Sequence, residues 1–502
     1  MYTQQKSSTR RSSSRSTQVA RCVPLVAALA LALGKSASAA SIVVDDASAQ
    51  SVSGKCTLVD AVAALNLASA VNGCVGGDGN NDTIDLRGFT TPTTISLQQS
   101  VSGLKHALAL ANPVTIVGSV SGDGNPFVTI ERSSNAGVPD FGLILSTSPL
   151  TIKGLILQNG LIQDGYCGGA ILAGDKLVVS DSILRNNHAP TGAGGAISAT
   201  SGTNVTHSII TGNSAAIAGG GIEADYYLNL SYATIIDNSV TDASAFGGGG
   251  VYSSGALKAT RSTISRNTSS TAGGGVYSFE MFEMNSSTIS DNVAQNGSGG
   301  GVYANAAGVS AVASTISGNS ATLNGGGISA SEADLTNSTL SGNRAGGDGG
   351  AIFAPSAMAA YSTLSANTAR GNGGGIEFSS ATANGSIVFG NVPDDLNSSQ
   401  HAPLAGSFNL IGSAPWGAPA DTLQCDPQLK ALADNGGPTL TMALGNSSCA
   451  LDAASTLPSV STDQRGFARP SVPNSKADIG AFELGGARSS SSGDTIFGAT
   501  FQ

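Results

Sequence analysis

Few of the 502 residues have the types and spacing that could do chemistry. The clearest are acids that follow Gly-Gly-Gly-Ile elements: Glu223 with Asp225, Glu332 with Asp334, and Glu377. Glycoside hydrolysis needs two carboxyl groups at a set separation, one acting as acid and the other as base or nucleophile. Residues two apart in a strand share a face, so Glu223 and Asp225 are placed to hold a cation or sugar hydroxyls. A solvated face is the simpler expectation for them. Glu377 has the same repeat position as Glu223 but lies about six coils away, roughly 29 Å at the usual strand spacing, too far for one dyad. Arg465 and Arg469, beside Asp463, have the chemistry of a lyase base, and a structural ion pair is the expectation there. His106, His188, His207 and His401 are scattered. No catalytic, cofactor-binding or metal site is expected, and no cofactor is called for.

Anything that positions these residues must be built from a repeat. An aliphatic residue followed three positions later by Asn recurs nine times, at Asn186, Asn213, Asn238, Asn267, Asn292, Asn319, Asn343, Asn367 and Asn391. Between these come Gly-Gly-Gly or Gly-Gly-Ala elements ending in an aliphatic residue, from Ile171 to Ile376. Ser-Thr-Ile-Ser is a short strand with Ile inward and its neighbours outward. Asn suits a turn with left-handed backbone angles, and stacked Asn side chains can bond one another in a ladder. Glycine allows a sharp bend and close approach of neighbouring coils. A spacing of about 24–29 residues is then one coil of a solenoid. The pattern predicts an all-β, right-handed parallel β-helix. Thr263/Ser265, Thr288/Ser290, Thr315/Ser317, Thr339/Ser341 and Thr363/Ser365 are expected to form outward hydroxyl rows bonded to each other.

The two ends differ from the repeat. Residues 1–39 read as a signal peptide, with a basic start, an apolar run over Val23–Leu33 and a small-residue cleavage site at Ala37-Ser38-Ala39. Without them, 17 basic residues face 33 acidic ones, a net charge of −16. Such a surface disfavours nucleic acid and anionic lipid. Export permits disulfides. Proximity in sequence pairs Cys56 with Cys74 and Cys425 with Cys449, which leaves Cys167 as a packed thiol. Thr57, with Asp60 three residues on, opens an amphipathic helix carrying Leu58, Ala61, Val62 and Leu65, expected to cap the open end of the solenoid. The expected organisation is 40–110 as N-terminal cap, 111–392 as repeats, 393–484 as a C-terminal region, and 485–502 as linker and tail.

Three segments resemble known families. Cys56-Thr57-Leu58-Val59-Asp60-Ala61 is similar to the Cys-Ser-Leu-Arg-Glu-Ala core of the CSLREA domain, with the Arg-Glu pair replaced. Gly168-Gly169-Ala170-Ile171, Gly194-Gly195-Ala196-Ile197 and Gly349-Gly350-Ala351-Ile352 resemble one half of the polymorphic outer membrane repeat, whose Phe-x-x-Asn half here has aliphatics for Phe. Asn409-Leu410-Ile411-Gly412, Asp434-Asn435-Gly436-Gly437-Pro438-Thr439, Thr462-Asp463-Gln464-Arg465-Gly466, Arg469-Pro470 and Asp478-Ile479-Gly480-Ala481-Phe482-Glu483 resemble the choice-of-anchor Q domain. This last resemblance implies a secreted β-helical protein whose anchor varies between members, and no particular reaction.

The function these readings favour is that of a non-catalytic protein, secreted or held on the outer surface of a Gram-negative bacterium. It would be a monomer with no membrane span in the mature chain, binding polysaccharide or cell-surface glycan in the manner of an adhesin. The alternatives are a lyase or glycoside hydrolase acting on acidic polysaccharide, as in the pectin-lyase-like fold, and a structural envelope protein.

Overall fold

The computed structural model describes residues 39–101, 103–457 and 459–486. The signal-peptide reading, apart from residue 39, and nearly all of the tail lie outside these residues. The described chain is an all-β parallel solenoid of about eleven turns.

A middle coil shows how the sequence makes the shape. Its strands are Ile222–Ala224, Leu228–Ser231, Thr234–Ile236 and the short Ser239–Val240. Each pairs in parallel with its counterpart one coil on: Val251–Ser253, Leu257–Thr260, Thr263–Ser265 and Thr268–Ser269. In later coils the first two strands fuse into one, as in Ile328–Thr336 and Ile352–Ala360. Alternation along the third strand buries its central aliphatic, Ile264, Ile289, Ile316 and Leu340 in turn, and these form one continuous apolar core with residues of the other strands.

Two ladders of polar side chains run inside this core. Asn213, Asn238, Asn267, Asn292, Asn319, Asn343 and Asn367 each donate Nδ2 to the Oδ1 of the next Asn, at 2.8–3.0 Å. Each such Oδ1 also accepts the backbone N–H of the preceding rung, as from Asn292 N to Asn319 Oδ1 at 3.0 Å. The first rung is Asn187, with Leu184 as its core aliphatic. The sequence expectation of Ile183 and Asn186 is one residue out of register, because Ile183 pairs with the outward Ile209 and Leu184 with Ile210. The turn's left-handed residue is also the one before the ladder Asn: Asn186, Gly212, Asp237, Arg266, Asp291, Gly318, Gly342, Ala366 and Gly390 all have positive φ. A buried Asn with satisfied hydrogen bonds needs no special backbone angle, and the exposed neighbour takes the strained one. The second ladder consists of serines. Ser262, Ser287, Ser314, Ser338 and Ser362 each give their N–H to the hydroxyl of the next serine at 3.1–3.2 Å.

A further corner follows the second strand. It is occupied in successive coils by Asp181, His207, Tyr232, Arg261, Ser286, Ala313, Asn337 and Tyr361, all with φ between 45° and 51°. Gly385 and Phe408 continue the column at φ of 60° and 56°.

At the start of the solenoid a helix spans Leu58–Leu67, with Thr57 at its N-cap accepting from the Asp60 N–H. Leu58, Ala61, Val62, Ala64 and Leu65 are buried in the main core. The Cys56–Cys74 and Cys425–Cys449 disulfides are present. Cys167 is buried, but no cysteine among the described residues is free, which corrects the reading of an unpaired thiol.

The C-terminal segment lies along the outside of the third-strand sheet, and this overturns the expected hydroxyl rows in the last coils. Thr315 donates its hydroxyl to the Leu440 carbonyl, and Thr339 to Gln464 Oε1, both at 2.6 Å. Thr363 Oγ1 accepts from the Ala481 N–H at 3.0 Å. Gln464 Nε2 contacts Ser314 O, Thr315 Oγ1, Thr439 Oγ1 and Leu440 O at 2.9–3.2 Å. The hydroxyls are taken up by a partner 125 residues away rather than by each other.

Candidate functional site

The acids come first. Glu223 is 1% exposed, so the solvated face expected for it is not there. Its column along the first-strand sheet runs from Ser198 through Glu223 to Tyr252, Tyr277 and Tyr303. These outward positions are covered by loops. Tyr252 and Tyr277 form an apolar cluster with Phe246, Phe279 and Ile217, with ring centroids 5.3 Å apart for Tyr252–Tyr277 and 5.0 Å for Tyr277–Tyr303. Outward does not mean exposed where a loop of the same coil folds back. Ser198 Oγ donates to Glu223 Oε2 at 2.6 Å, while Oε1 has no hydrogen-bond donor. Burial, and then the charge of Asp225, push the Glu223 carboxyl up to about 8, and Asp225 is raised too, chiefly by burial. Burial thus favours the protonated form of both carboxyls.

The other acids are separate. Glu332 is exposed, and Asp334 is raised by partial burial and by the Glu332 charge. Glu377 is buried and accepts from Asn397 Nδ2 at 2.7 Å. It stands in the Glu223 column six rungs on, about 29 Å at the usual spacing.

Arg465 and Arg469 serve to hold the C-terminal segment together. Arg465 Nη2 is 2.7 Å from Asp463 Oδ2, and its guanidinium lies over Phe467 at 4.1 Å and Phe482 at 3.7 Å. Arg469 pairs with Glu483 at 3.8 Å and lies 4.3 Å over Tyr361. Asp463 also accepts the N–H groups of Arg465, Phe467 and Glu483. Arg469 Nη1 donates to the Asp478 carbonyl at 2.9 Å, while its Nε and Nη2 have no hydrogen-bond partner, and a buried ion-pair network of this kind is costly to break from one side.

The histidines do not meet. His106 is buried with its pKa lowered to about 4 by that burial, and its Nδ1 is 3.1 Å from the Leu104 carbonyl. His188 Nδ1 is 2.7 Å from Ser214 Oγ, and its pKa is lowered by burial and by Arg132. Among the described residues no group of three or more His, Cys, Asp or Glu could hold a metal ion.

What sequence reasoning missed lies on the surface. His207 stacks on Tyr232 with centroids 4.8 Å apart and planes 11° apart, and Arg261 lies 5.7 Å over the same ring. Tyr232 is 46% exposed. A second stack, His401 on Trp416 at 3.9 Å, sits near the far end of the solenoid. The Trp416 indole N–H donates to Asn397 Oδ1 at 3.1 Å. The first stack had a usable signal, since His207, Tyr232 and Arg261 each stand two residues before the core aliphatic's own triplet neighbour, a place set once the coil is aligned. The second had none, because its residues lie outside the repeat.

These features define a parallel β-solenoid with aromatic stacks on its surface and with Glu223 and Glu377 buried. Over residues 249–395 the chain is similar to the family described as periplasmic copper-binding protein (NosD). That stretch has no histidine and no cysteine, and its methionines are Met281, Met284 and Met358. No curated protein and no solved structure matches the chain. No helix among the described residues is long and apolar enough to cross a membrane.

Proposed function

We propose that this chain is an exported, non-catalytic scaffold that binds glycan chains along its solenoid, in the manner of an adhesin. The observation that carries this reading is the pair of exposed aromatic stacks, His207–Tyr232 and His401–Trp416. Aromatic rings with a polar tip are suited to surfaces that are partly apolar and partly wet, which is the character of a pyranose ring. The likeness to a periplasmic family and the two disulfides support export. In this reading the winding is right-handed, the helix Leu58–Leu67 caps one end, and residues 393–484 act as a clamp on the last coils.

Saturable binding of polysaccharide, with no release of reducing or unsaturated ends, is the expected result. Release that is lost in Glu223→Ala or Arg465→Ala would establish the lyase or hydrolase reading instead. Cell fractionation with and without residues 485–502 tests the tail. A short apolar end on an exported chain suits a sorting signal, and unchanged recovery in every fraction would leave it a plain terminus.

A further inference from the structure

The Glu223–Asp225 pair lies where three coils bring oxygen side chains together. Glu223 stands between Ser198 and Tyr252 in the parallel register of the first strand. One step past that strand, the Asp225 N–H donates to the Ala199 carbonyl and the Ser254 N–H to the Ala224 carbonyl, each at 2.9 Å. Asp225 is thereby set between Thr200 and Ser254. The result is two short columns, Ser198–Glu223–Tyr252 and Thr200–Asp225–Ser254, whose polar side-chain atoms are all oxygens.

These oxygens are close to one another and not fully satisfied. Ser198 Oγ donates to Glu223 Oε2 at 2.6 Å, and Ser254 Oγ is 3.5 Å from Asp225 Oδ1. The Tyr252 hydroxyl bonds to Ser254 and lies in the field of both acids. Glu223 Oε1 is left over. Its residue is 1% exposed, the atom has no hydrogen-bond donor, and the Asp225 carboxyl is its charged neighbour. The groups that act most on the two acids are each other, Ser198 and Ser254, and none of them is cationic. Facing carboxyls in a buried place are neutralised by protons or by a cation. A shell of oxygens alone is the kind that hard divalent cations take. Asp225 and Ser254 are half-buried, which gives an ion an approach from that side.

We infer that Glu223 and Asp225 hold a calcium ion, with their carboxylates as its charged ligands and the Ser254 hydroxyl and water filling the shell. Calcium suits the place better than magnesium, because it accepts an irregular set of oxygens where magnesium demands a near-ideal octahedron. Two carboxylates rather than three carry the charge, so the affinity should be that of extracellular modules, about 0.1–1 mM. The bound ion would join the coils of Glu223 and Ser254 across one rung. This inference is independent of the glycan-binding reading.

The test titrates the full chain, first stripped of metal with a chelator, with calcium chloride by calorimetry. One saturable site is expected. Glu223→Gln and Asp225→Asn should each weaken it about tenfold or more, since calcium affinity follows the charge of the ligands. Glu332→Gln, which alters an exposed acid elsewhere, should leave it unchanged. Circular dichroism checks that the variants fold, and if Glu223→Gln does not, Asp225→Asn at the half-buried rim decides. Absence of saturable binding up to about 10 mM, well above the weakest such sites, would overturn the inference. So would binding that Asp225→Asn retains, an equal loss in Glu332→Gln, or equal affinity for magnesium.

Discussion

Replacing Asn319 by Ala removes one rung from the interior ladder, and the structure sets what that removes. Asn319 Oδ1 accepts from Asn292 N at 3.0 Å and from Asn292 Nδ2 at 2.9 Å. Its Nδ2 donates to Ile289 O at 3.0 Å and to Asn343 Oδ1 at 2.9 Å. Asn343 Oδ1 still accepts the Asn319 N–H in the variant. The Asn292 N–H and one of its amide hydrogens have no such alternative. An orphaned buried donor costs about 1–3 kcal/mol, so the expected loss is about 4 kcal/mol. In a solenoid each coil touches only its neighbours, so the loss should be felt locally. Native-state hydrogen exchange reads it directly. The Asn292 amide should exchange about a thousandfold faster, at tenfold per 1.4 kcal/mol, while the Asn213 amide changes little. A rise below tenfold at Asn292 would refute the idea that the ladder holds the coils, and equal rises at both sites would refute its locality.

Three further outcomes follow from the same geometry. Glu223 has its folded pKa raised to about 8, so its contribution is fully present below the unfolded carboxyl value near 4.5 and is lost as pH rises through 8. Urea unfolding should thus show stability falling across that window by a few kcal/mol, and Glu223→Gln should flatten the slope; an unchanged slope would exclude the buried pair as its source. Gln464→Leu removes three contacts between the C-terminal segment and the coils and two within the segment, and should cost about 3 kcal/mol. Limited proteolysis should then cut within 425–484 before the solenoid, and the wild-type cleavage pattern would speak against a clamp. Loss of the Cys56–Cys74 bridge, which closes 18 residues, should cost about 3 kcal/mol, seen as a lower denaturation midpoint for the double Cys→Ala variant.

The coil itself was legible in the chain, because an Ile three residues before an Asn, repeated at near-constant spacing, has few physical explanations. The error came at the first rung, where Ile183 and Leu184 and then Asn186 and Asn187 stand side by side and local pattern cannot choose between them. Only pairing with Ile209 and Ile210 in the next coil decides the register. The serine ladder was hidden for a similar reason, since Ser262 and Ser265 look alike in sequence but face opposite ways. Glu223 was misjudged because alternation marks its position as outward, and its burial depends on contacts that the alternation of its own strand does not report. The fate of Thr315 and Thr339 depended on residues far along the chain, which no local rule connects. The disulfide pairs, by contrast, needed only closeness in sequence.

The Asn ladder has a direction, and its last rung changes chemical type. Asn391 gives both its backbone and its side-chain N–H to Asp395 Oδ1 at 2.8 Å. Asp395 Oδ2 in turn accepts from the Ser413 N–H at 2.9 Å. A carboxylate accepts but has nothing to pass on. A further coil docked there, from this chain or from another molecule, would meet an oxygen where the ladder requires a hydrogen. An open stack of parallel strands is a template for end-to-end polymerisation, and at Asp395 the amide ladder ends on a side chain that offers such a template no hydrogen.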